Sequence, residues 1–192
     1  MNFNLLETIK IVDGEALHLS YHQTRLQNAL AQLQSKQIYS LDKLIDPPKN
    51  GTFRCRFVYN TTDFTIEYLP YTYAPINSLK LIECQEFDYS FKYEKRDQLD
   101  TLFTLRQTCD DVLIATNSLL RDTTRANVAF YDGSSWYTPT KPLLEGTTRA
   151  RYIDAYKLIP KTLHVKDISN FEHVAVLNAM VDFCVLKDGI IT

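Results

Sequence analysis

The sequence predicts an α+β fold in two lobes. Strands come in clusters with helices between the clusters, not in strict alternation, and the pattern breaks near residues 86–92. The composition is that of an ordinary folded chain: 45% hydrophobic, 23% charged, five glycines and no low-complexity segment. A length of 192 residues makes one sizeable domain or two small ones sharing an interface. The expected division is residues 1–88 and residues 89–192.

Each element follows from a local pattern. Leu5 to Val12 alternates, Asp13-Gly14 turns and Glu15 to Leu19 follows, which reads as a hairpin. Ser20 with Gln23 makes a capping box, and the spacing predicts a helix from about Tyr21 to Gln34 that buries Leu26, Ala29, Leu30 and Leu33. Pro47-Pro48 and Asn50-Gly51 end this unit. Thr52 to Tyr59 and Phe64 to Leu69 read as strands, with Arg54 and Arg56 projecting from one face of the first. Ser78 to Phe87 is expected as a third strand of the first half. In the second half a helix is expected over Arg96 to Cys109 and a short buried strand over Asp111 to Ala115. Asn127 to Tyr131 and Ser134 to Thr138 form a hairpin about Asp132-Gly133. A helix starts near Thr147, and His173 to Ala179 and Asp182 to Leu186 close the fold.

Several function classes are excluded early. A net charge of −2 with no basic stripe argues against nucleic acid, whose phosphates demand one. The four cysteines form no C-x-x-C pair and have no histidine at ligand spacing, so no metal site is expected; they read as small buried hydrophobes in a reducing compartment. Met1 to Lys10 lacks the cationic and apolar pattern of a signal peptide, and no apolar run reaches membrane-spanning length. The expected address is cytoplasmic. No phosphate loop, dinucleotide fingerprint or nucleophile elbow is present.

Five short motifs in fixed order carry a resemblance. They are His22-Gln23-Thr24-Arg25-Leu26, Lys92 to Arg96, Asp122 to Asn127, Tyr137-Thr138-Pro139 and Gly146-Thr147-Thr148-Arg149. Together they resemble the pattern of the fold-type IV pyridoxal-phosphate enzymes, the aminotransferase class IV superfamily, which includes aminodeoxychorismate lyase and the D-amino acid and branched-chain aminotransferases. The resemblance covers roughly residues 6 to 186. It implies a two-lobed fold with a shortened N-terminal lobe, a barrel-like C-terminal lobe, pyridoxal 5'-phosphate between them, and a homodimer.

The resemblance also implies roles. Lys92 is similar to the lysine that forms an internal aldimine with the cofactor; a neutral amine is needed for that attack, and the same group can then shuttle a proton at the substrate Cα. Asp122, five residues before Asn127, resembles the carboxylate that pairs with the pyridine nitrogen, although the family usually has Glu there. Thr147 and Thr148 resemble the residues that hold the phosphate, and a helix N-terminus suits an anion on physical grounds alone. Arg25, Asn178 and Ala179 match further phosphate contacts. Arg96 falls where the family supports the ring, but Lys95 replaces the usual Asn. Arg54 and Arg56 are candidates for a substrate carboxylate.

The expected function is therefore a pyridoxal-phosphate enzyme acting on a small amino acid or amino-acid-like substrate. An aminotransferase and a 4-amino-4-deoxychorismate lyase are both open, with the short first lobe and the Lys92 to Arg96 run closer to the lyase branch. The alternative is a degenerate member that binds cofactor or a protein partner without turnover. Asp122 in place of Glu, and the absence of the family's opening Gly-rich strand, motivate it.

Overall fold

The structure is a computed structural model, and it describes residues 3–191. Part of the N-terminal stretch read above for a leader, Met1 and Asn2, lies outside these residues. Contacts divide the chain into two compact units. One takes in the residues up to Tyr73 together with Phe91–Lys95; the other takes in Ala74–Ser90 and the residues from Arg96 onward.

The first unit contains β1 (Leu5–Val12), β2 (Glu15–Ala16), α1 (Leu19–Gln32), α2 (Leu41–Leu44), β3 (Thr52–Tyr59) and β4 (Phe64–Pro70). Its antiparallel sheet runs β2-β1-β3-β4. Asp13 and Gly14 both take positive φ, 47° and 85°, as a tight hairpin turn with right-handed strands requires. Period-2 burial on β1 and β3 sends Leu5, Ile9, Ile11, Cys55, Phe57 and Tyr59 into one core, where Leu26, Ala29 and Leu30 of α1 meet them.

The capping box at Ser20 does not form. α1 begins at Leu19, so Ser20 is already inside the helix, and Gln23 spends its amide elsewhere. It donates to the Tyr39 carbonyl at 2.8 Å and accepts from the Leu41 N–H at 2.8 Å, tying α1 to the start of α2.

The second unit contains β5 (Ser78–Cys84), α3 (Asp97–Thr104), β6 (Asp111–Thr116), β7 (Leu119–Thr123), β8 (Asn127–Tyr131), β9 (Trp136–Pro139), α4 (Thr147–Asp154), β10 (Ile159–Lys161), β11 (His173–Asn178), β12 (Asp182–Val185) and β13 (Gly189–Ile191). A 3-10 helix, Val165–Asn170, leads into β11. One sheet runs β13-β5-β6-β7 and the other β10-β9-β8-β11-β12. Leu79, Leu113, Ala115, Leu120, Val128, Phe130 and Val176 pack as its main core.

Two expectations change here. β5 is not a third strand beside β3 and β4; it pairs in parallel with β6 and β13. Parallel pairing joins segments distant in sequence, and a short apolar run carries no mark of its partner. α3 is also shorter than its periodicity suggested: it stops at Thr104, and Gln107 turns the chain with φ 56°.

Candidate active site

Asp122, Asn127 and the approach to α4 form one cluster in the second unit. Asp122 sits near the end of β7 and Asn127 opens β8, with a three-residue turn between them. Thr123 closes that turn: its N–H donates to the Ala126 carbonyl at 2.8 Å, and its hydroxyl accepts from Arg125 N–H and Ala126 N–H. The five-residue spacing therefore brings the two side chains together. Asn127 Nδ2 donates to Asp122 Oδ1 at 2.8 Å and to the Leu144 carbonyl at 2.8 Å. Leu144 N–H donates back to Asp122 Oδ2 at 3.0 Å.

This exchange fixes the segment that feeds α4. Gly146 is the N-cap, and a Cβ there would run into Asn127 Oδ1, so the chain passes the Asn127 amide only because position 146 has no side chain. Thr147 and Thr148 follow in the first turn, both buried. No side chain caps this helix, which leaves the first-turn N–H groups for an anion. Arg149 is buried beside them, donating to Glu145 at 2.6 Å and to the Pro139 carbonyl at 2.9 Å.

Asn178 ends β11 and joins the same region. Its Nδ2 donates to the Arg125 carbonyl, in the turn between Asp122 and Asn127, at 3.2 Å. Its Oδ1 accepts from Met180 N–H and Val181 N–H, which shapes the turn that carries half-buried Ala179. Arg96 donates to the Thr124 carbonyl at 3.1 Å and pairs with Asp100 at 2.9 Å, so its guanidinium braces this turn.

Burial pushes the Asp122 carboxyl up to about 6; the Asn127 amide, the Leu144 and Leu143 N–H groups and Arg149 pull in the other direction without cancelling it. A carboxylate buried among dipoles is a fitting partner for a protonated ring nitrogen. A bare helix N-terminus with two buried threonines suits a phosphate. By donor chemistry, these residues of the second unit fit pyridoxal phosphate.

Lys92 and Arg25 belong to the first unit. Lys92 is half-buried, and its carbonyl accepts from Leu6 N–H at 2.8 Å. Glu94 N–H donates to the Asn4 carbonyl at 2.9 Å, so the Lys92 segment is stitched to the start of β1. Arg25, on α1, donates twice to Glu7 of β1, from Nε to Oε1 at 2.8 Å and from Nη2 to Oε2 at 2.6 Å. His22 Nδ1 lies 2.6 Å from the same Oε2. Arg56 pairs with Glu67 at 3.5 Å and Glu94 at 3.6 Å, whereas Arg54 is exposed.

Glu7 was not singled out in the sequence, yet it is fully buried in the row of Leu5, Ile9 and Ile11. Burial opposes its charge, but Arg25 and His22 outweigh that and hold its carboxyl down at about 2. His22 is lowered by burial and by the cations Arg25 and Lys92, against the pull of Glu7. An acid on the apolar face of a strand, followed by a helix carrying His-x-x-Arg, is the signal that points to this network.

Among the described residues no group of His, Cys, Asp and Glu is placed to hold a metal ion, and no helix is long and apolar enough to cross a membrane.

Comparisons with known proteins bear on the family and the fold. Residues 100–185 match the amino-transferase class IV family. An uncharacterized Haemophilus influenzae protein is 33% identical over 184 residues, covering 93% of this chain and 98% of its own. A Haemophilus somnus structure, provisionally named a 4-amino-4-deoxychorismate lyase, is 33% identical with a TM-score of 0.87, covering 93% of this chain and 96% of its own. A hypothetical aminotransferase of Mycobacterium tuberculosis, in its PLP-bound form, shares the fold at 15% identity and a TM-score of 0.80, over 97% of this chain and 81% of its own. The chain has the α+β fold of the fold-type IV pyridoxal-phosphate enzymes and belongs to the class IV aminotransferase family.

Proposed function

We propose that this protein is a pyridoxal-phosphate enzyme acting on an amino acid or amino-acid-like substrate, with 4-amino-4-deoxychorismate lyase as the favoured activity and an aminotransferase as the runner-up. The observation that carries it is the cluster of Asp122, Asn127, Gly146, Thr147 and Thr148, which joins a buried carboxylate to an uncapped helix N-terminus. The provisional name of the Haemophilus somnus protein, at 33% identity, favours the lyase. When bound, the cofactor supplies an electron sink for negative charge developing at the substrate Cα.

The residues divide the remaining work. Lys92 is the covalent anchor, and its amine moves the proton at the substrate Cα. Asp122 holds the proton on the pyridine nitrogen, and Asn127 fixes the direction of the Asp122 carboxylate. Thr147, Thr148 and the first-turn N–H groups of α4 hold the phosphate, with Arg25 and the Asn178-Ala179 turn as further contacts. Glu7 keeps the Arg25 guanidinium in one orientation. Arg56 is the better candidate of the two strand arginines for a substrate carboxylate, since it is half-buried. The working form is a homodimer.

One observation favours the second reading, a member that holds cofactor without turnover. Both Asp122 oxygens already accept N–H groups, and the side chain is a methylene shorter than the family's Glu.

The test is the absorption spectrum with added pyridoxal phosphate, before and after borohydride, for wild type and Lys92→Ala. A visible band that is trapped on Lys92 and absent from the variant supports the reading. Identical spectra with no retained cofactor would sink it. Pyruvate released from aminodeoxychorismate then identifies the lyase, keto-acid-dependent amino transfer identifies the aminotransferase, and cofactor retention without either identifies the inactive member.

A further inference from the structure

A cleft of about 470 Å³ lies wholly within the second unit. It is lined by residues 86–90 of the segment after β5, by Arg121 of β7 and by Pro142-Leu143 of the segment before α4. Its size falls in the range of small-molecule sites.

The charges in it are unevenly placed. The Arg121 side chain is only 11% exposed, whereas Glu86 is 59% exposed and Asp88 is also exposed. A guanidinium therefore sits at the floor and two carboxylates at the rim. Arg121 is poorly matched as it stands: Nη2 lies 3.7 Å from Glu86, too far for a hydrogen bond, and the buried Nε has no acceptor among the described residues. An ion pair at that distance, with its carboxylate exposed, contributes little and exchanges easily. Arg121 lines the cleft, and a guanidinium can hold a planar carboxylate with two bonds.

The sign balance selects the ligand. A carboxylate alone would place a third negative charge beside Glu86 and Asp88, and an amine alone would leave the floor arginine as it is. A zwitterion answers both ends, and Phe87, Pro142 and Leu143 offer apolar walls to its side chain.

We propose that this cleft binds a free α-amino acid with an apolar side chain, its carboxylate on Arg121 and its ammonium on Glu86 and Asp88. Glu86 swings from Arg121 to the ammonium as the ligand enters. The site does not depend on Lys92 or on cofactor. Because Leu144 N–H holds Asp122, the wall at Leu143 belongs to the same segment that orients the Asp122 carboxylate, so an occupant here sits one residue from a support of the proposed active site.

The test is calorimetric titration of the full-length Lys92→Ala protein, free of pyridoxal phosphate, with L-phenylalanine, 3-phenylpropionate and phenethylamine. L-phenylalanine is expected to bind at least about tenfold more tightly than either single-charge analogue. Arg121→Gln and Arg121→Lys are each expected to weaken it by about tenfold or more, the lysine variant because it keeps the charge but loses the two-donor edge. Glu86→Gln is expected to weaken L-phenylalanine while leaving 3-phenylpropionate equal or tighter. Thermal melting of each variant checks that it is folded, and Glu86→Gln, at an exposed position, serves if the arginine variants are not. No binding of L-phenylalanine, equal binding of 3-phenylpropionate in the Lys92→Ala protein with Arg121 and Glu86 intact, or binding indifferent to both Arg121 and Glu86 would each overturn the proposal. Binding indifferent to both would place the amino acid elsewhere on the protein.

Discussion

Asn127 and Asp122 face each other at 2.8 Å across a turn, and the same Asn127 nitrogen reaches the Leu144 carbonyl at an equal distance. One amide thus links β7, β8 and the approach to α4. Asn127→Ala leaves a buried carboxylate oxygen and a carbonyl short of a donor, each worth about 1–3 kcal/mol. A loss of about 2–4 kcal/mol in urea unfolding is expected, together with weaker cofactor retention. Unchanged stability would mean that water replaces the amide.

Gly146→Ala tests the other side of that contact. The backbone φ of −73° accepts alanine, so the main cost is the collision with Asn127 Oδ1, with a smaller one for alanine at an N-cap. Overpacking of this kind typically costs about 1–3 kcal/mol. The double variant with Asn127→Ala is expected to lose less than the two single losses added together, because the collision disappears with the amide.

Asp122 gives stability a pH dependence of a definite sign. Its folded carboxyl is held at about 6, above its ordinary 3.8, so between those values the folded state keeps a proton that the unfolded chain has released. Its contribution favours folding at low pH and is lost as pH rises through about 4 to 6, by about 3 kcal/mol in all. Asp122→Asn is expected to flatten this part of the stability curve. A parallel curve for wild type and variant would show that Asp122 is ionised at ordinary cost.

Glu7 runs the opposite way. Its folded carboxyl lies at about 2, below its ordinary 4.5, so its contribution is complete above about pH 4.5 and disappears as pH falls through 2. The size is again about 3 kcal/mol. Glu7→Gln at neutral pH leaves the Arg25 guanidinium facing a neutral amide inside the first unit, with a cost of about 3 kcal/mol or more. Acid titration of unfolding should show the wild-type loss below pH 4.5 and a shallower curve for the variant.

Much of the fold was legible because its signals are local. The Asp13-Gly14 turn, the Leu26, Ala29 and Leu30 stripe and the alternation of β3 each depend on neighbours within a few residues. The start of α4 at Thr147 was legible for the same reason. What stayed hidden depends on distant partners. β5 pairs with β6 and β13, which its own residues do not reveal, and β10 consists of three exposed residues with no alternation to read. At the site, the pairing of Asp122 with Asn127 follows from their spacing. The commitment of Arg25 to Glu7 joins α1 to β1 through a buried charge that periodicity marks as an apolar slot.

The short segment Phe91–Lys95 packs with the first unit, although the residues on both sides of it, Ala74–Ser90 and those from Arg96 onward, pack with the second. The chain therefore passes between the units after Tyr73, after Ser90 and again after Lys95. A consequence is that the first unit is unfinished when β4 has been made: its last main-chain bonds, at Leu6 and Glu94, wait for Lys92 and its neighbours to be synthesised and to return to β1. Seating the lysine is in this sense the closing event of the first unit, and a protein cut anywhere between Tyr73 and Phe91 would lose the lysine together with the segment that completes that unit.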